Sequence, residues 1–174
     1  IVELMLKKSP REISKKKAFY FATEMGNLEV IKLFKRYGMN LKQKFKDGRT
    51  LLHVVCAGFW WDITGGNVFS RHYSTVKYLL EKGFDIDARD NEGNTPLMYA
   101  AKRGCPGMFL VSDRPVDMKS IRLKIVKLLV EKGANINERN KKNESVLKFA
   151  MSPCGQASNE PHLNDELVQF LIKS

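Results

Sequence analysis

A nine-residue block, with apolar residues at helical spacing and glycine at its end, recurs along this chain of 174 residues. The clearest copies read TVKYLLEKG at 75–83, IVKLLVEKG at 125–133 and VIKLFKRYG at 30–38, and weaker copies lie at 1–9 and 167–174. Within each copy the apolar side chains form one stripe, which predicts a helix buried on one side. Lysine suits the negative pole at the end of a helix, and glycine takes the left-handed conformation that stops it.

A second block, a turn followed by a short apolar helix, lies downstream of three of these glycines. The first two copies read DGRTLLHVVC at 47–56 and DNEGNTPLMYAA at 90–101. Each has a glycine able to take the positive φ of a tight turn and a threonine placed to cap the next helix. In the third copy Asn and Ser take these two places, for which both residues are suited. The turn and cap residues are Gly48 and Thr50, Gly93 and Thr95, and Asn143 and Ser145.

The two blocks together resemble the ankyrin repeat. The residues that carry the resemblance are GNTPLMYAA at 93–101, LLEKGFDIDAR at 79–89 and LVEKGANINER at 129–139. The resemblance covers nearly the whole chain. It implies an all-α solenoid, in which helix–turn–helix units of about 33 residues, joined by β-turn fingers, stack on one another. It also implies that each unit is stabilised by its neighbours.

The expected organisation is a single ankyrin-repeat domain over 1–174. A partial repeat at 1–9 is followed by full repeats at 10–42, 43–89, 90–139 and 140–174. The last three are longer than a regular unit, and the surplus is assigned to long inter-helix insertions at 58–73, 104–121 and 152–164. Because all three insertions occupy the same place in their repeats, we expect them side by side along the edge opposite the fingers.

The first two insertions are too aromatic and apolar for disordered linkers. The first contains Trp60, Trp61 and Tyr73, and the second contains the run MFLV at 108–111. One interpretation is a small satellite core in which the insertions pack on each other. The other is an added binding surface with Trp60 and Trp61 as anchors, since exposed aromatic residues are favoured at interfaces. Both interpretations remain open at this point.

Composition indicates a folded protein, with 43% hydrophobic and 28% charged residues. No apolar run approaches the roughly 18 to 20 residues that span a bilayer, so no membrane association is expected. Three cysteines without paired spacing favour a reducing intracellular location, cytoplasmic or alternatively nuclear. The first residue is not Met and no signal peptide precedes the repeats, which suggests a piece cut from a larger protein.

Candidate chemistry is sparse. The cysteines and histidines that could hold a metal, His72, Cys105, Cys154 and His162, lack the spacing of a zinc site. The chain contains no phosphate-binding loop, nucleophile elbow or dinucleotide fingerprint. We therefore expect no metal, no cofactor, no small-molecule substrate and no enzymatic activity. Cys56 is interpreted as a core thiol, and the family's inner-helix histidine, His53, as a structural residue that ties turns together.

The function that the resemblance implies is a non-catalytic protein–protein interaction scaffold. Its concave face, made of fingers and inner helices, would contact the partner through the family's contact positions. These are Lys46, Arg49, Val54, Asn91, Glu92, Asn94, Tyr99, Lys102, Arg103, Lys141, Lys142, Glu144 and Phe149. An alternative is the interaction module of a larger enzyme, a ubiquitin-ligase adaptor or a pathogen effector.

Net charge bears on the partner. The chain carries +11, and residues 1–50 hold 13 Lys and Arg against 5 Asp and Glu. A basic field favours acidic partners. An acidic protein is preferred over nucleic acid, which usually requires aromatic residues interleaved with the basic ones. Nucleic-acid binding through the basic N-terminal part remains the less favoured alternative.

Overall fold

The computed structural model describes residues 12–58, 68–102, 118–152 and 166–174. Apart from one isolated β-bridge between Arg139 and Ser145, the regular structure in these ranges is helical. The helices are α1 (Glu12–Glu24), α2 (Leu28–Arg36), α3 (Leu51–Gly58), α4 (Val68–Glu81), α5 (Pro96–Ala101), α6 (Met118–Glu131), α7 (Val146–Met151) and α8 (Glu166–Lys173).

Successive helices pack in pairs, and the pairs stack in chain order. The inner helices α1, α3, α5 and α7 form one layer, in which each helix packs on the next. The outer helices α2, α4, α6 and α8 form a second layer in the same order. The expected all-α solenoid is therefore confirmed.

The core lies between the two layers. Its largest fully buried side chains come from both layers, because each repeat turns an apolar stripe towards its own partner helix and towards its neighbours. Helix α3 lies between α1 and α5 and against α4, and all of its residues from Leu51 to Cys56 are buried. The largest fully buried side chains are Phe19, Ile31, Phe34, Leu51, Leu52, Leu79, Leu97, Met98, Ile125, Leu129 and Leu167.

The caps of α5 and α7 and the turn at Asn143 agree with the sequence prediction. Thr50 does not cap α3 as predicted, because its hydroxyl instead lies 2.8 Å from Nδ1 of His53. The side-chain oxygens of Thr95 and Ser145 accept hydrogen bonds from the N–H groups of Met98 and Lys148, both at 3.4 Å. Pro96 occupies the first turn of α5, where its missing N–H costs nothing. Asn143 takes a φ of 62°, the left-handed conformation expected for the residue that replaces the turn glycine.

The outer helices start earlier than the predicted insertions allow. Helix α4 begins at Val68, inside the segment 58–73, and α6 begins at Met118, inside the segment 104–121. Part of the surplus length is therefore helix. In α4 it packs against the preceding repeat, where Nε2 of His72 lies 2.9 Å from the carbonyl oxygen of Glu24. This contact satisfies a carbonyl at the end of α1, which has no partner within its own helix.

Several expectations fall outside the described residues. These are the partial repeat at 1–9, Trp60 and Trp61, most of the segment 104–121, and nearly all of the segment 152–164. The two interpretations of the insertions therefore remain predictions.

Helix α1 differs from the other inner helices in length. It has 13 residues, against 6 in α5 and 6 in α7, and the basic run Lys15–Lys16–Lys17 lies within it. The first repeat therefore continues as a helix where later repeats have a turn and a cap. This explains why the turn and cap block is absent from this part of the sequence.

Candidate functional site

The turns that precede the inner helices are held by side chains of their own first residues. The Oδ1 atom of Asp90 accepts hydrogen bonds from the N–H groups of Glu92 at 2.9 Å and Asn94 at 2.8 Å. The Oδ1 atom of Asn140 makes the same pair of bonds with Lys142 and Glu144, both at 2.9 Å. Asp and Asn favour this arrangement because their short side chains reach the backbone two residues ahead. The turns are thus fixed without a partner.

Backbone hydrogen bonds join the turns into one row, which we call the turn ribbon and define as residues 45–49, 90–94 and 140–144. The N–H of Asn91 donates to the carbonyl oxygen of Asp47 at 2.9 Å. The N–H of Lys141 donates to the carbonyl oxygen of Glu92, also at 2.9 Å. The side-chain amide of Asn91 adds a bond to the carbonyl oxygen of Lys46 at 3.1 Å. Each turn is therefore positioned by the one before it.

Two side chains strengthen the ribbon from within. His53 Nδ1 accepts a hydrogen bond from the N–H of Thr50 at 3.1 Å, and His53 Nε2 lies 3.0 Å from the carbonyl oxygen of Asn94. Because Nδ1 accepts, Nε2 carries the proton and donates. Burial lowers the pKa of His53, and the bond to Asn94 only partly offsets this. His53 thus ties the turns together as the resemblance implied. In the next turn Asn140 donates to Asn94 Oδ1 at 2.8 Å.

Just before the inner helix α3, Arg49 joins the first and third repeats. Its Nε lies 2.6 Å from Asp47 Oδ2, and its guanidinium donates to the hydroxyl of Tyr20 at 2.7 Å. The guanidinium carbon also lies 5.6 Å from the ring centroid of Tyr20 and 5.8 Å from that of Tyr99. We call these contacts of Arg49 with Tyr20 and Tyr99 the arginine clamp. Because α3 lies between α1 and α5, the clamp spans three repeats.

The clamp is anchored to the second turn of the ribbon, at residues 90–94. The hydroxyl of Tyr99 donates to Asp90 Oδ2 at 2.8 Å. Burial raises the pKa of Tyr99, and its hydrogen bond to Asp90 raises it further. Burial also acts to raise the pKa of Asp90, but the hydrogen bonds from Tyr99 and Asn94 outweigh it and lower that pKa. At neutral pH Tyr99 is therefore a neutral donor and Asp90 an anionic acceptor.

The structure brings most of the predicted contact residues to the ribbon and the adjoining inner helices. Ten of them are exposed or half-buried. The exposed ones are Lys46, Asn91, Glu92, Lys102, Lys141 and Lys142. The half-buried ones are Arg49, Tyr99, Glu144 and Phe149. Three others, Arg103, Trp60 and Trp61, lie outside the described residues.

Two predicted contact residues are buried, and this corrects the expectation that their side chains face a partner. Val54 is 1% exposed, because α3 is enclosed by α1 and α5. Asn94 is 4% exposed, because its side chain is used in bonds to Asp90 and Asn140 within the ribbon. Both residues stabilise the surface from beneath.

Two residues of α1 that belong to this surface are not among the family contact positions assigned from the sequence. Tyr20 receives the hydrogen bond from Arg49, and the neighbouring side chain of Phe21 is 61% exposed. The sequence holds a signal for Phe21. When Ala22 and Thr23 are placed on the Ala100–Ala101 pair, Phe21 falls at the position of Tyr99.

Of the residues weighed for metal or redox chemistry, Cys56 and His72 serve the packing, and Cys105, Cys154 and His162 lie outside the described residues. Cys56 is fully buried, and burial raises the pKa of its thiol. His72 is directed at the turn between α1 and α2. No group of three or more potential metal ligands lies together in the described residues. In the same ranges, no helix has both the length and the apolar composition needed to cross a membrane.

Comparison with known proteins agrees with this architecture. A family model for ankyrin repeats (many copies) matches residues 68–109, and a model of the single ankyrin repeat matches residues 92–141. A putative ankyrin repeat protein of Acanthamoeba polyphaga mimivirus is 32% identical over 148 residues, which are 84% of this chain and 17% of the relative.

Two mouse proteins are also similar. Protein phosphatase 1 regulatory subunit 27 is 33% identical over 79 residues, which are 45% of this chain and 44% of the relative. Ankyrin repeat and SOCS box protein 16 is 28% identical over 89 residues, which are 51% of this chain and 19% of the relative. The chain thus spans less than half the length of each of these relatives.

The two family models together match residues 68–141, and the mimivirus relative extends the similarity over 84% of the chain. The chain belongs to the ankyrin repeat family.

Proposed function

We propose that this chain is a non-catalytic interaction module that binds a partner protein through its concave face. Ankyrin repeats are generally protein–protein interaction modules and are generally non-catalytic. The concave face consists here of the turn ribbon and the exposed side of the inner helices. Its pre-formed turns lower the entropic cost of binding, because little needs to be ordered when a partner arrives.

The arginine clamp is the observation that carries the proposal. Arginine and tyrosine are enriched among the residues that dominate binding energy, above all where they are partly desolvated. Arg49 and Tyr99 are half-buried and held in place by Asp47 and Asp90. Exposed Phe21, on the same inner layer, adds apolar area. We propose these three side chains as the anchor of the interface.

The charges around the anchor bear on partner chemistry. Exposed Lys46 lies in the second repeat's turn, and exposed Lys141 and Lys142 lie in the fourth. Between these two turns, Glu92 is exposed, and its Oε2 lies 3.9 Å from Nζ of Lys142. Such an arrangement favours a partner with acidic groups at the two ends of the contact and fewer in its centre, since complementary potentials steer association. An acidic protein surface fits this description.

The test measures partner binding by variants of the anchor. One mouse relative is named as a regulatory subunit of protein phosphatase 1, so that phosphatase is a suitable first purified partner. Cross-linking in cell extract would identify others. We expect Arg49→Ala and Tyr99→Ala each to weaken binding by about 2 kcal/mol, the loss typical of an interface anchor.

The matched control is Ile172→Ala. Ile172 is an exposed apolar residue, 55% accessible, on the outer helix α8. Its replacement should leave the affinity unchanged. If Ile172→Ala weakened binding as much as Tyr99→Ala, with both variants folded, the concave face would not be the site.

Nucleic-acid binding is the competing function. It would depend on the basic first helix, where Lys16 and Lys17 are exposed. Affinity for an oligonucleotide should then fall steeply with salt, because lysine–phosphate contacts release counterions. A shallow salt dependence would count against this alternative.

A further inference from the structure

The outer layer carries a lysine at the same position of three consecutive helices. These residues, which we call the lysine column, are Lys32 in α2, Lys77 in α4 and Lys127 in α6. Each is the third residue of the recurring helical block. Since α2 packs on α4 and α4 on α6, the three side chains follow one another along the solenoid axis. They lie on the outer layer of helices, which we call the convex face. This layer is on the opposite side of the molecule from the inner helices.

The convex face is basic well beyond the column. The described surface of the outer layer contains ten Lys and Arg but only four Glu, when buried Arg122 is left out. The residues counted are 28–36, 71–82, 122–132 and 166–174. No carboxylate lies within 4.0 Å of the Lys77 or Lys127 ammonium in the part of the chain that the structure describes. The described residues therefore neutralise the positive charge of this face only in part.

Aromatic rings hold some of these ammonium groups in place. Lys32 Nζ lies 5.6 Å from the ring centroid of Tyr78, and Lys82 Nζ lies 5.7 Å from the same centroid. Lys127 Nζ lies 5.6 Å from the ring centroid of Phe170. A cation over a ring is attracted by it, so the long lysine side chain samples fewer conformations before a ligand binds. This is a more ordered arrangement than that of a freely solvated lysine.

The spacing of the column suggests the form of its ligand. Packed helices have axes about 8–10 Å apart, so the column offers one charge at about that interval. An extended polypeptide in the polyproline II conformation has three residues per turn and rises about 3.1 Å per residue. Every third side chain then points the same way at an interval of about 9 Å. Backbone phosphates of a nucleic acid recur much more closely, about every 3.4 Å of strand.

We propose that the lysine column binds an extended acidic polypeptide segment that presents a carboxylate at every third residue. The site is on the opposite layer from the concave anchor, so it can be occupied whether or not the proposed function is correct. The lysine column has three charges and does not continue into α8, because the equivalent residue there is the neutral Gln169. The segment in contact therefore needs about seven residues to reach all three lysines.

One acidic residue of the protein itself competes for the column. Glu29 Oε1 lies 2.9 Å from Lys32 Nζ, and its side chain is 80% exposed. An exposed pair of this kind is weak and easily displaced. Removal of the Glu29 charge should therefore strengthen binding of the acidic segment, and we expect Glu29→Gln to tighten it about twofold to threefold.

The experiment compares two twelve-residue peptides of identical composition by fluorescence anisotropy with the full chain. One repeats Glu-Pro-Pro four times, and the other places its four Glu together ahead of eight Pro. The key variant is Lys77→Glu with Lys127→Glu. The matched control, Lys42→Glu with Lys148→Glu, makes the same change in net charge at two exposed lysines outside the convex face.

We expect the regularly spaced peptide to bind the unaltered chain more tightly than the clustered one. The column variant should weaken its binding about tenfold, and the control variant about twofold at most. Arg49→Ala should leave it unchanged, which separates this site from the concave one. Circular dichroism should show the same helix content in all variants.

Three results would overturn the proposal. Equal losses in the column and control variants would mean that net charge alone attracts the peptide. Equal affinity for the two peptides would mean that spacing is not read. Tighter binding of a thymidine dodecanucleotide than of the spaced peptide, at the same ionic strength, would assign the convex face to nucleic acid instead.

Discussion

Replacement of Gly48 by alanine tests whether the turns act as one ribbon along the solenoid. Gly48 has a φ of 77°, and a Cβ placed on it would lie 2.7 Å from the backbone nitrogen of Asn91 in the next turn. The methyl group cannot be accommodated unless the two turns move apart. That movement would break the bonds that Asn91 makes to Asp47 and Lys46.

The expected loss has two parts. An alanine with positive φ costs about 1 kcal/mol relative to glycine. Loss of two hydrogen bonds between the turns adds about 2 kcal/mol. Gly48→Ala should therefore lower the free energy of unfolding by about 3 kcal/mol, measured by urea denaturation followed by circular dichroism.

Gly83 offers a control for the backbone part alone. Its φ is 69°, and a Cβ placed on it would meet nothing within 4 Å. Gly83→Ala should therefore cost only about 1 kcal/mol. If both variants lost the same stability, contact between neighbouring turns would contribute nothing measurable, and the turns would not act as one ribbon.

Three further predictions follow from buried contacts. Gly58→Ala should lower the free energy of unfolding by about 2 kcal/mol in the same urea assay, because the added Cβ would lie 2.7 Å from the carbonyl carbon of Glu24. An unchanged urea midpoint would contradict this packing. The pKa of His53 is lowered by burial below its ordinary value of 6.5, so the unfolded chain takes up the proton first as pH falls. The stability that neutral His53 contributes should thus be complete above pH 6.5 and be lost below it, and His53→Gln should flatten this part of the stability–pH curve. The pKa of Asp90 is lowered below 3.8, despite burial, by hydrogen bonds from Tyr99 and Asn94, so its contribution is present above pH 3.8 and lost in stronger acid. Tyr99→Phe should raise the pKa of Asp90, seen by NMR titration, and cost about 1 kcal/mol at neutral pH; an unmoved Asp90 titration would show that the hydroxyl bond is not formed in solution.

Local sequence signals predicted the repeat architecture well. Thr95, Ser145 and Asn143 act within a few residues of their own positions, so their roles as caps and turn residues follow from side-chain chemistry alone. The periodicity of the outer helices has the same local origin. The starting point of α4 does not have a local origin. Its first turns are in contact with a distant part of the chain, through His72 and the carbonyl oxygen of Glu24.

The candidate site was predicted less completely, since its geometry depends on neighbours far away in sequence. Transfer of family contact positions marked Val54 and Asn94 as surface residues, but enclosure of α3 buries the first and the turn network uses the second. Nothing near Arg49 in the chain indicates that it reaches Tyr20, which lies 29 residues earlier. Side-chain reach across stacked repeats is a property of the assembled solenoid.

The reach of Arg49 has a consequence for how the protein opens. Stability in a stack of repeats is ordinarily a sum over single units and adjacent interfaces, so the array can unzip one unit at a time from either end. A side chain that touches both the first and the third unit adds an energy that disappears when any one of three units is lost. Amide protons of α1, α3 and α5 should therefore exchange with deuterium as one cooperative group, while those of α7 and α8 fray separately at lower free energy.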